Sequence, residues 1–263
     1  MTPLAGGTGA GRVPGVAVGL EVLRKAFDGV PVLAGVNLEI RVGETLTIIG
    51  GSGSGKSVLL KLIIGLLKPE RGRIWVEGED IVPFSEERLL RVRRRMGMLF
   101  QGCALFDSMS VGENVAFPLQ EHTALSDAEI AERVRETLNL VGLDGVEAKA
   151  PADLSGGMKK RVALARAIIL QPRIILYDEP TTGLDPQNIE KITDLILALR
   201  EKLAVTSVVV THDMPSAFKV SDRLALLHQG VIAATGTPAE IERSEEPLVR
   251  DFIAGPQEGG TRG

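Results

Sequence analysis

Cysteine is nearly absent from this chain of 263 residues. Cys103 is the single cysteine, so an internal disulfide and a metal site built from several cysteines are both excluded. We interpret Cys103 as a small buried residue, with a redox role as the alternative. Long apolar runs are also missing, because the stretch 59–67 is interrupted by Lys61 and is too short to cross a bilayer. If the protein acts at a membrane, partner chains must supply the membrane spans.

A strong charge of either sign is lacking as well. The formal net charge is −4, which gives no reason to expect nucleic acid as a partner. The N-terminus has no basic stretch followed by an apolar one, so no secretory signal peptide is predicted. With 44% apolar and 24% charged residues, the composition is that of an ordinary globular protein. We therefore expect a cytoplasmic protein.

A glycine-rich segment reads GGSGSGKS and matches the nucleotide phosphate-loop pattern G-x-x-x-x-G-K-[ST]. The residues before it, 45–49, predict a buried strand, and those at 57–67 predict a helix. A triphosphate would then lie at a helix N-terminus, where free N–H groups and the helix dipole favour anions. The alternative is an ordinary glycine-rich turn, which the flanking strand and helix disfavour. The predicted phosphate-binding residues are Gly50, Gly51, Ser52, Gly53, Ser54, Gly55, Lys56 and Ser57.

Two side chains of this loop and two acids downstream carry the predicted chemistry. We expect Lys56 to reach the β- and γ-phosphates of a bound nucleotide and Ser57 to ligate Mg²⁺. An apolar strand before Asp178 and Glu179 favours a Mg²⁺-directing carboxylate followed by a base for water. The alternative is a solvated strand edge. We predict that Asp178 positions Mg²⁺ and that Glu179 orients or deprotonates the attacking water.

A second predicted anion site lies at residues 154–158, LSGGM, which precede a basic helical run. Ser155, Gly156 and Gly157 would lie at the start of a helix expected at 158–170. The free N–H groups of this turn would bind the anion. A simple helix cap, for which Ser is favoured, is the other interpretation, and the two can hold together. A cap alone does not explain two glycines in a first helical turn, where each costs stability.

With these motifs in this order, the chain resembles the ATP-binding cassette (ABC) ATPases from about residue 16 to about residue 240. The resemblance implies an α/β fold of the P-loop NTPase type. Such a fold has a RecA-like parallel-sheet core, an antiparallel β subdomain and an inserted helical subdomain, here at about 105–170. One cassette is expected at 16–254, between tails at 1–15 and 255–263 that we predict to be disordered because they are glycine-rich and aperiodic.

Local patterns predict most elements of that fold. Alternation of apolar and polar residues, or short apolar runs, predicts strands. Ser126 and Thr237 each begin a capping box and so predict helix starts. A hairpin is expected at 224–234. The predicted strands are 16–27, 32–42, 45–49, 73–77, 96–100, 173–177 and 205–211.

The same resemblance assigns further site residues. Phe27 would stack on adenine, Gln101 would contact Mg²⁺ or the attacking water, and His212 would hydrogen-bond the γ-phosphate. Asp185 would bridge two cassettes in a head-to-tail dimer that encloses two ATP molecules. In that dimer, the turn at 155–157 would face the γ-phosphate bound by the partner cassette.

Three stretches resemble the ATPase subunits of MCE-type phospholipid transporters, the Mla/Mkl group. They are residues 101–119, the signature with Met158 in place of the family's usual Gln, and residues 245–253. The resemblance implies a homodimer on the cytoplasmic side of the inner membrane. Its partners would be a permease dimer and an MCE-domain protein, and its cargo phospholipids or related lipids. The alternatives are the ATPase subunit of another importer and a non-transport cassette that regulates cell-wall or division proteins.

The segment 105–111 is predicted to receive a cytoplasmic helix of the permease. It follows Gln101 directly, so it could respond to the nucleotide, and it is more apolar than a solvated loop needs. The alternative is that its apolar side chains pack into the helical subdomain's own core. These side chains are Leu105, Phe106, Met109 and Val111.

Overall fold

The strands form two sheets in the computed structural model, which describes residues 15–254. Within these residues the strands are β1 (Val16–Phe27), β2 (Val30–Arg41), β3 (Thr45–Ile49), β4 (Arg71–Val76), β5 (Glu79–Asp80), β6 (Met96–Leu99), β7 (Ile174–Asp178), β8 (Thr206–Thr211), β9 (Arg223–His228) and β10 (Val231–Gly236). The helices are α1 (Lys56–Ile63), α2 (Glu86–Arg93), α3 (Val111–His122), α4 (Asp127–Leu140), α5 (Gly156–Ile168), α6 (Pro186–Leu203), α7 (Met214–Val220), α8 (Pro238–Glu242) and α9 (Pro247–Ala254). No helix in this part of the chain has the length and apolarity needed to span a bilayer. The predicted disordered tails lie outside the described residues, apart from Gly15.

The larger sheet has the order β10-β9-β3-β8-β7-β6 and is parallel except for β10. Every residue of β3, β7 and β8 is buried. Alternate residues of β7 enter two different apolar clusters: Ile174 and Leu176 join the cluster that contains α1, and Ile175 and Tyr177 join the one that contains α5. Both faces of the sheet are therefore covered, which explains the near-continuous apolar runs. The predicted parallel strands are confirmed to within one residue.

The smaller sheet is antiparallel, with the order β2-β1-β4-β5. β1 turns into β2 at Asp28 and Gly29, both with positive φ, so pairing extends to Phe27 opposite Val30. Asp-Gly is a strong signal for such a tight hairpin. This turn explains why β2 begins two residues earlier than predicted. Gly230, in the β9–β10 turn, accepts a hydrogen bond from the Ala34 N–H at 2.8 Å and ties this sheet to the larger one.

The helices α3 and α4 pack with α5 around a second apolar core. The capping box at Ser126 is confirmed, and another caps α3 at Ser110. The capping box and N-terminal proline predicted at Thr237 are also confirmed. α5 contacts α3 on one side and β6 on the other. This helix therefore joins the helical region to the strand ends that carry the predicted site.

The boundaries of α1 and α5 differ from the prediction. α1 ends at Ile63 rather than at residue 67, because Gly65 adopts a left-handed φ of +73°. The guanidinium of Arg93 donates to the carbonyl oxygens of Ile64 at 3.2 Å and Gly65 at 2.8 Å, which satisfies two groups at that helix end. α5 begins at Gly156, two residues earlier than predicted, because both glycines of the signature are helical.

The contact between α5 and β6 gives a test of the packing. A Cβ on Gly97 would lie 2.4 Å from the Ala167 carbonyl oxygen, so the helix must move to accept a side chain. We expect Gly97→Ala to lower the free energy of unfolding by about 1–3 kcal/mol, measured by urea denaturation. Gly102→Ala is the control, because a Cβ there meets nothing within 4 Å. Equal stability of both variants would contradict this packing.

Candidate functional site

The phosphate loop, residues 50–57, connects the end of β3 to α1. Glycine is required at two positions: Gly55 has φ +101°, and a Cβ on Gly50 would lie 2.5 Å from the carbonyl oxygen of Leu227. α1 begins at Lys56 without a side-chain cap. Its first N–H groups and the helix dipole favour an anion here. The predicted strand–loop–helix arrangement is confirmed.

Lys56 is nearly buried, and its ammonium lies inside the phosphate loop. Nζ donates hydrogen bonds to the carbonyl oxygens of Gly50 at 2.8 Å and Gly51 at 3.1 Å, and it lies 3.7 Å from a Glu179 carboxylate oxygen. Burial lowers the pKa of Lys56, and the negative charge of Glu179 opposes this shift. The ammonium is held where a phosphate in the loop would meet it.

Asp178 ends β7 and is only 4% exposed. Its Oδ1 accepts a hydrogen bond from the Ser57 hydroxyl at 2.7 Å. Burial raises the pKa of Asp178, and the Ser57 hydrogen bond opposes the shift. The hydrogen-bond partner of this buried carboxylate is a neutral hydroxyl, so its charge is available to balance a cation. Hydroxyl and carboxylate oxygens are ligands that Mg²⁺ accepts, and the two residues fit that ion.

Glu179 follows β7 with a left-handed backbone, φ +48°, and its N–H donates to the Val210 carbonyl oxygen at 2.9 Å. Its Oε2 accepts a hydrogen bond from the Thr182 hydroxyl at 3.1 Å and contacts His212 Nδ1 at 2.9 Å. This conformation costs a non-glycine residue about 1–3 kcal/mol, and such strained residues cluster at functional sites. The backbone therefore aims the carboxylate at Lys56 and His212.

Most of the predicted site residues border one cavity of about 530 Å³ between the two sheets. Phe27 lies at the end of β1 with its ring partly exposed, and Gln101 follows β6. The lining residues are Phe27, Val32, residues 52–58, Gln101, Glu179 and His212. Residues from both sheets thus meet around the phosphate loop.

Four of the other predicted residues form a second group at the starts of α5 and α6. The Ser155 hydroxyl accepts a hydrogen bond from the Met158 N–H, so the capping interpretation holds. Asp185 caps α6 by accepting from the Asn188 N–H at 3.0 Å, and the Asn188 hydrogen bonds lower its pKa. A Cβ on Gly157 would lie 2.6 Å from Asn188 Oδ1. This group, which includes Gly156, does not line the cavity that holds Lys56.

Some residues of the segment 105–111 pack into the helical core, and others are exposed as a permease contact would require. Val111 is fully buried in the helical core, as the packing alternative expects. Phe106 is 41% exposed, and its ring lies 5.1 Å from that of Phe117. Asn114 is fully buried and shapes the loop: its side chain accepts from the Phe106 N–H and donates to three carbonyl oxygens of residues 106–110.

Sequence reasoning missed Asn114, Thr182 and Lys160. Lys160 belongs to the basic run after the signature, which carried no individual assignment. It is nevertheless buried, and its Nζ donates to the Gln101 carbonyl oxygen at 2.6 Å. No local pattern distinguishes Lys160 from Lys159, which is only half-buried on the same helix, so the sequence offers no signal for it.

The sequence of this chain is similar to those of known proteins. A family model described as ABC transporter matches residues 33–182. The chain is 44% identical over 248 residues to the probable ribonucleotide transport ATP-binding protein mkl of Mycobacterium leprae, which covers 94% of this chain and 72% of that protein. It is 44% identical over 227 residues to the intermembrane phospholipid transport system ATP-binding protein MlaF of Haemophilus influenzae, which covers 86% of each chain.

A solved structure shows the same fold. It is a dimeric post-hydrolysis state of an ATP-binding cassette bound to ADP and Pi, with 35% sequence identity and a TM-score of 0.78, and the match covers 84% of this chain and 98% of that one. The family model spans more than half of the present chain. The chain therefore belongs to the ABC transporter family and is one of its ATP-hydrolysing cassettes.

Proposed function

We propose that this chain is the ATP-hydrolysing subunit of an envelope transporter that moves phospholipids or related lipids. It would act as a homodimer bound to a permease dimer on the cytoplasmic side of the inner membrane. The observation that carries the ATPase site is the convergence of Lys56, Glu179 and His212 on the cavity beside the phosphate loop. The lipid cargo is supported by the resemblance to MlaF.

ATP binding would use both sheets. The phosphate loop and the N-terminus of α1 receive the phosphates, and the Lys56 ammonium moves from carbonyl oxygens of the loop to the β- and γ-phosphates. Phe27, which also lines the cavity, stacks on adenine. The loop donors are backbone groups, so they bind phosphate without side-chain reorganisation.

Ser57 and Asp178 would hold Mg²⁺, with Gln101 contributing from the end of β6. When bound, the ion neutralises developing charge on the phosphate oxygens. The part played by the chain is to hold a hydroxyl and a buried carboxylate 2.7 Å apart, next to the loop that receives the phosphates.

Hydrolysis would depend on Glu179, which orients the water or accepts its proton. Thr182 and His212 each contact the same carboxylate oxygen, Oε2, so they limit the directions in which this side chain can point. The His212 side chain is 62% exposed at the cavity and can turn to hydrogen-bond the γ-phosphate. The γ-phosphate would also be contacted by Ser155, Gly156 and Gly157 of the partner cassette, with Asp185 bridging the two.

Glu179→Gln tests the proposed base. The amide keeps the size of the side chain and removes the base, so ATP hydrolysis should fall by ~10²–10⁴-fold. ATP binding should persist, and the ATP-bound dimer should accumulate, as measured by size-exclusion chromatography with ATP and Mg²⁺. Lys56→Ala is the contrasting control: it should lose both turnover and the dimer. Wild-type turnover in Glu179→Gln would show that another group activates the water.

Phe106 and Met109 are the proposed contact with the permease. Replacing both by Asp should weaken capture of the permease by about 2 kcal/mol or more, because apolar anchors dominate interfaces. The measurement is recovery of the permease with the tagged chain from native membranes, with circular dichroism to confirm the fold. Leu90→Asp, at a leucine that is 46% exposed on α2, is the control. Unfolding of the double variant would support the packing alternative.

The cargo is tested by what purifies with the tagged chain from its native membrane. We expect a multi-span permease and an MCE-domain protein, with phospholipid detected by mass spectrometry. The name of the mycobacterial relative supports a second candidate, ribonucleotides. Recovery of bound nucleotide cargo without lipid, of an amino-acid-binding protein or of cell-division proteins would overturn the lipid proposal and leave the ATPase assignment intact.

A further inference from the structure

Lys160 bridges two backbone segments of the proposed site. It is 4% exposed, and its Nζ donates to the carbonyl oxygens of Gln101 at 2.6 Å and Glu179 at 3.3 Å. Gln101 follows β6 and Glu179 follows β7, two neighbouring strands of the parallel sheet. One ammonium therefore joins the segments that would contact Mg²⁺ and the attacking water.

Burying the Lys160 ammonium costs free energy. Removing an ammonium from water is unfavourable unless its hydrogen bonds are replaced. Burial lowers the pKa of Lys160, and the nearby Cys103, Asp178 and Glu179 oppose the shift. The Glu179 backbone is left-handed, and the hydrogen bond to its carbonyl oxygen helps to hold that conformation. An apolar residue would fill the position without these costs, but it would release both carbonyl groups.

The position of Lys160 on α5 connects the site to the signature turn. Lys160 lies four residues after Gly156, which is about one helical turn, or 6 Å along the axis. From the same helix, the Arg166 guanidinium donates to the Cys103 carbonyl oxygen at 2.9 Å. A displacement of α5 would therefore move the chain at 101–103 through two cationic side chains, and the backbone of Glu179 through one.

We propose that Lys160 is a positioning residue that links the signature turn, which would contact the partner's ATP, to Gln101 and Glu179 at the subunit's own ATP. Closure of the dimer on one ATP would thus set the geometry of the catalytic groups at the other. This inference rests on the proposed roles of Gln101, Glu179 and the signature turn. We therefore expect substitutions of Lys160 to change turnover and to leave nucleotide affinity unchanged.

The test compares full-length variants purified with their membrane partners. Lys160→Met keeps an unbranched stem and removes the ammonium. We expect its kcat for ATP to fall by roughly 10- to 100-fold, as for a small misplacement of catalytic groups, while KM stays within about two-fold. Lys160→Arg keeps the charge and the donors and should restore most of the turnover. Lys159→Met is the matched control on the same helix, because Lys159 is only half-buried, and it should match the wild type.

Wild-type kcat in Lys160→Met would overturn the proposal. An equal loss in Lys160→Arg with intact ATP binding would also overturn it, because packing rather than hydrogen bonding would then explain the effect. If Lys160→Met does not fold, Lys160→Gln replaces it; its shorter side chain cannot span both carbonyls, so wild-type kcat there overturns the link and a reduced kcat supports it. Glu179→Gln is run in parallel. If that variant is active, the proposed site is wrong; if it is inactive while Lys160→Met is active, only the link is wrong.

Discussion

Parallel pairing of β3, β8 and β7 is the constraint on which the proposed site depends. The register places Ile49 opposite Thr211 and Asp178 opposite Val210, so the three strand ends reach one edge of the sheet. Ser57 and Asp178 are 121 residues apart in the chain, and this edge brings them within hydrogen-bond distance. The register is strongly specified, because a shift by one residue would exchange the side chains that enter the two apolar clusters.

The two buried lysines at this edge have hydrogen-bond partners. Lys56 faces two carbonyl oxygens and the Glu179 carboxylate, and Lys160 faces two further carbonyl oxygens. Such partners offset the cost of removing the ions from water. The lowered pKa of Lys56 and the raised pKa of Asp178 both have burial as their main cause, so the enclosed surroundings of the site act on both groups.

Most of the site residues fall into two groups within one chain. One group lines the cavity between the sheets, and the other lies at the starts of α5 and α6. A nucleotide in the cavity therefore leaves the second group for another molecule, which agrees with the head-to-tail dimer implied by the family. Lys160 and Arg166 connect the groups through α5, because both donate to the chain that follows β6.

The sequence by itself determined the phosphate loop, the acidic strand end and the parallel strands, because each is a local pattern of a few residues with its own spacing or periodicity. Only the tertiary structure decided the partners of those residues. His212 meets Glu179 across 33 positions of sequence, and Lys160 meets the Gln101 carbonyl across 59. The end of α1 likewise depends on Arg93, from another helix. In the sequence, Lys160 resembles any lysine of a solvated helix face, and its burial follows from how α5 docks between β6 and α3, which no local pattern encodes.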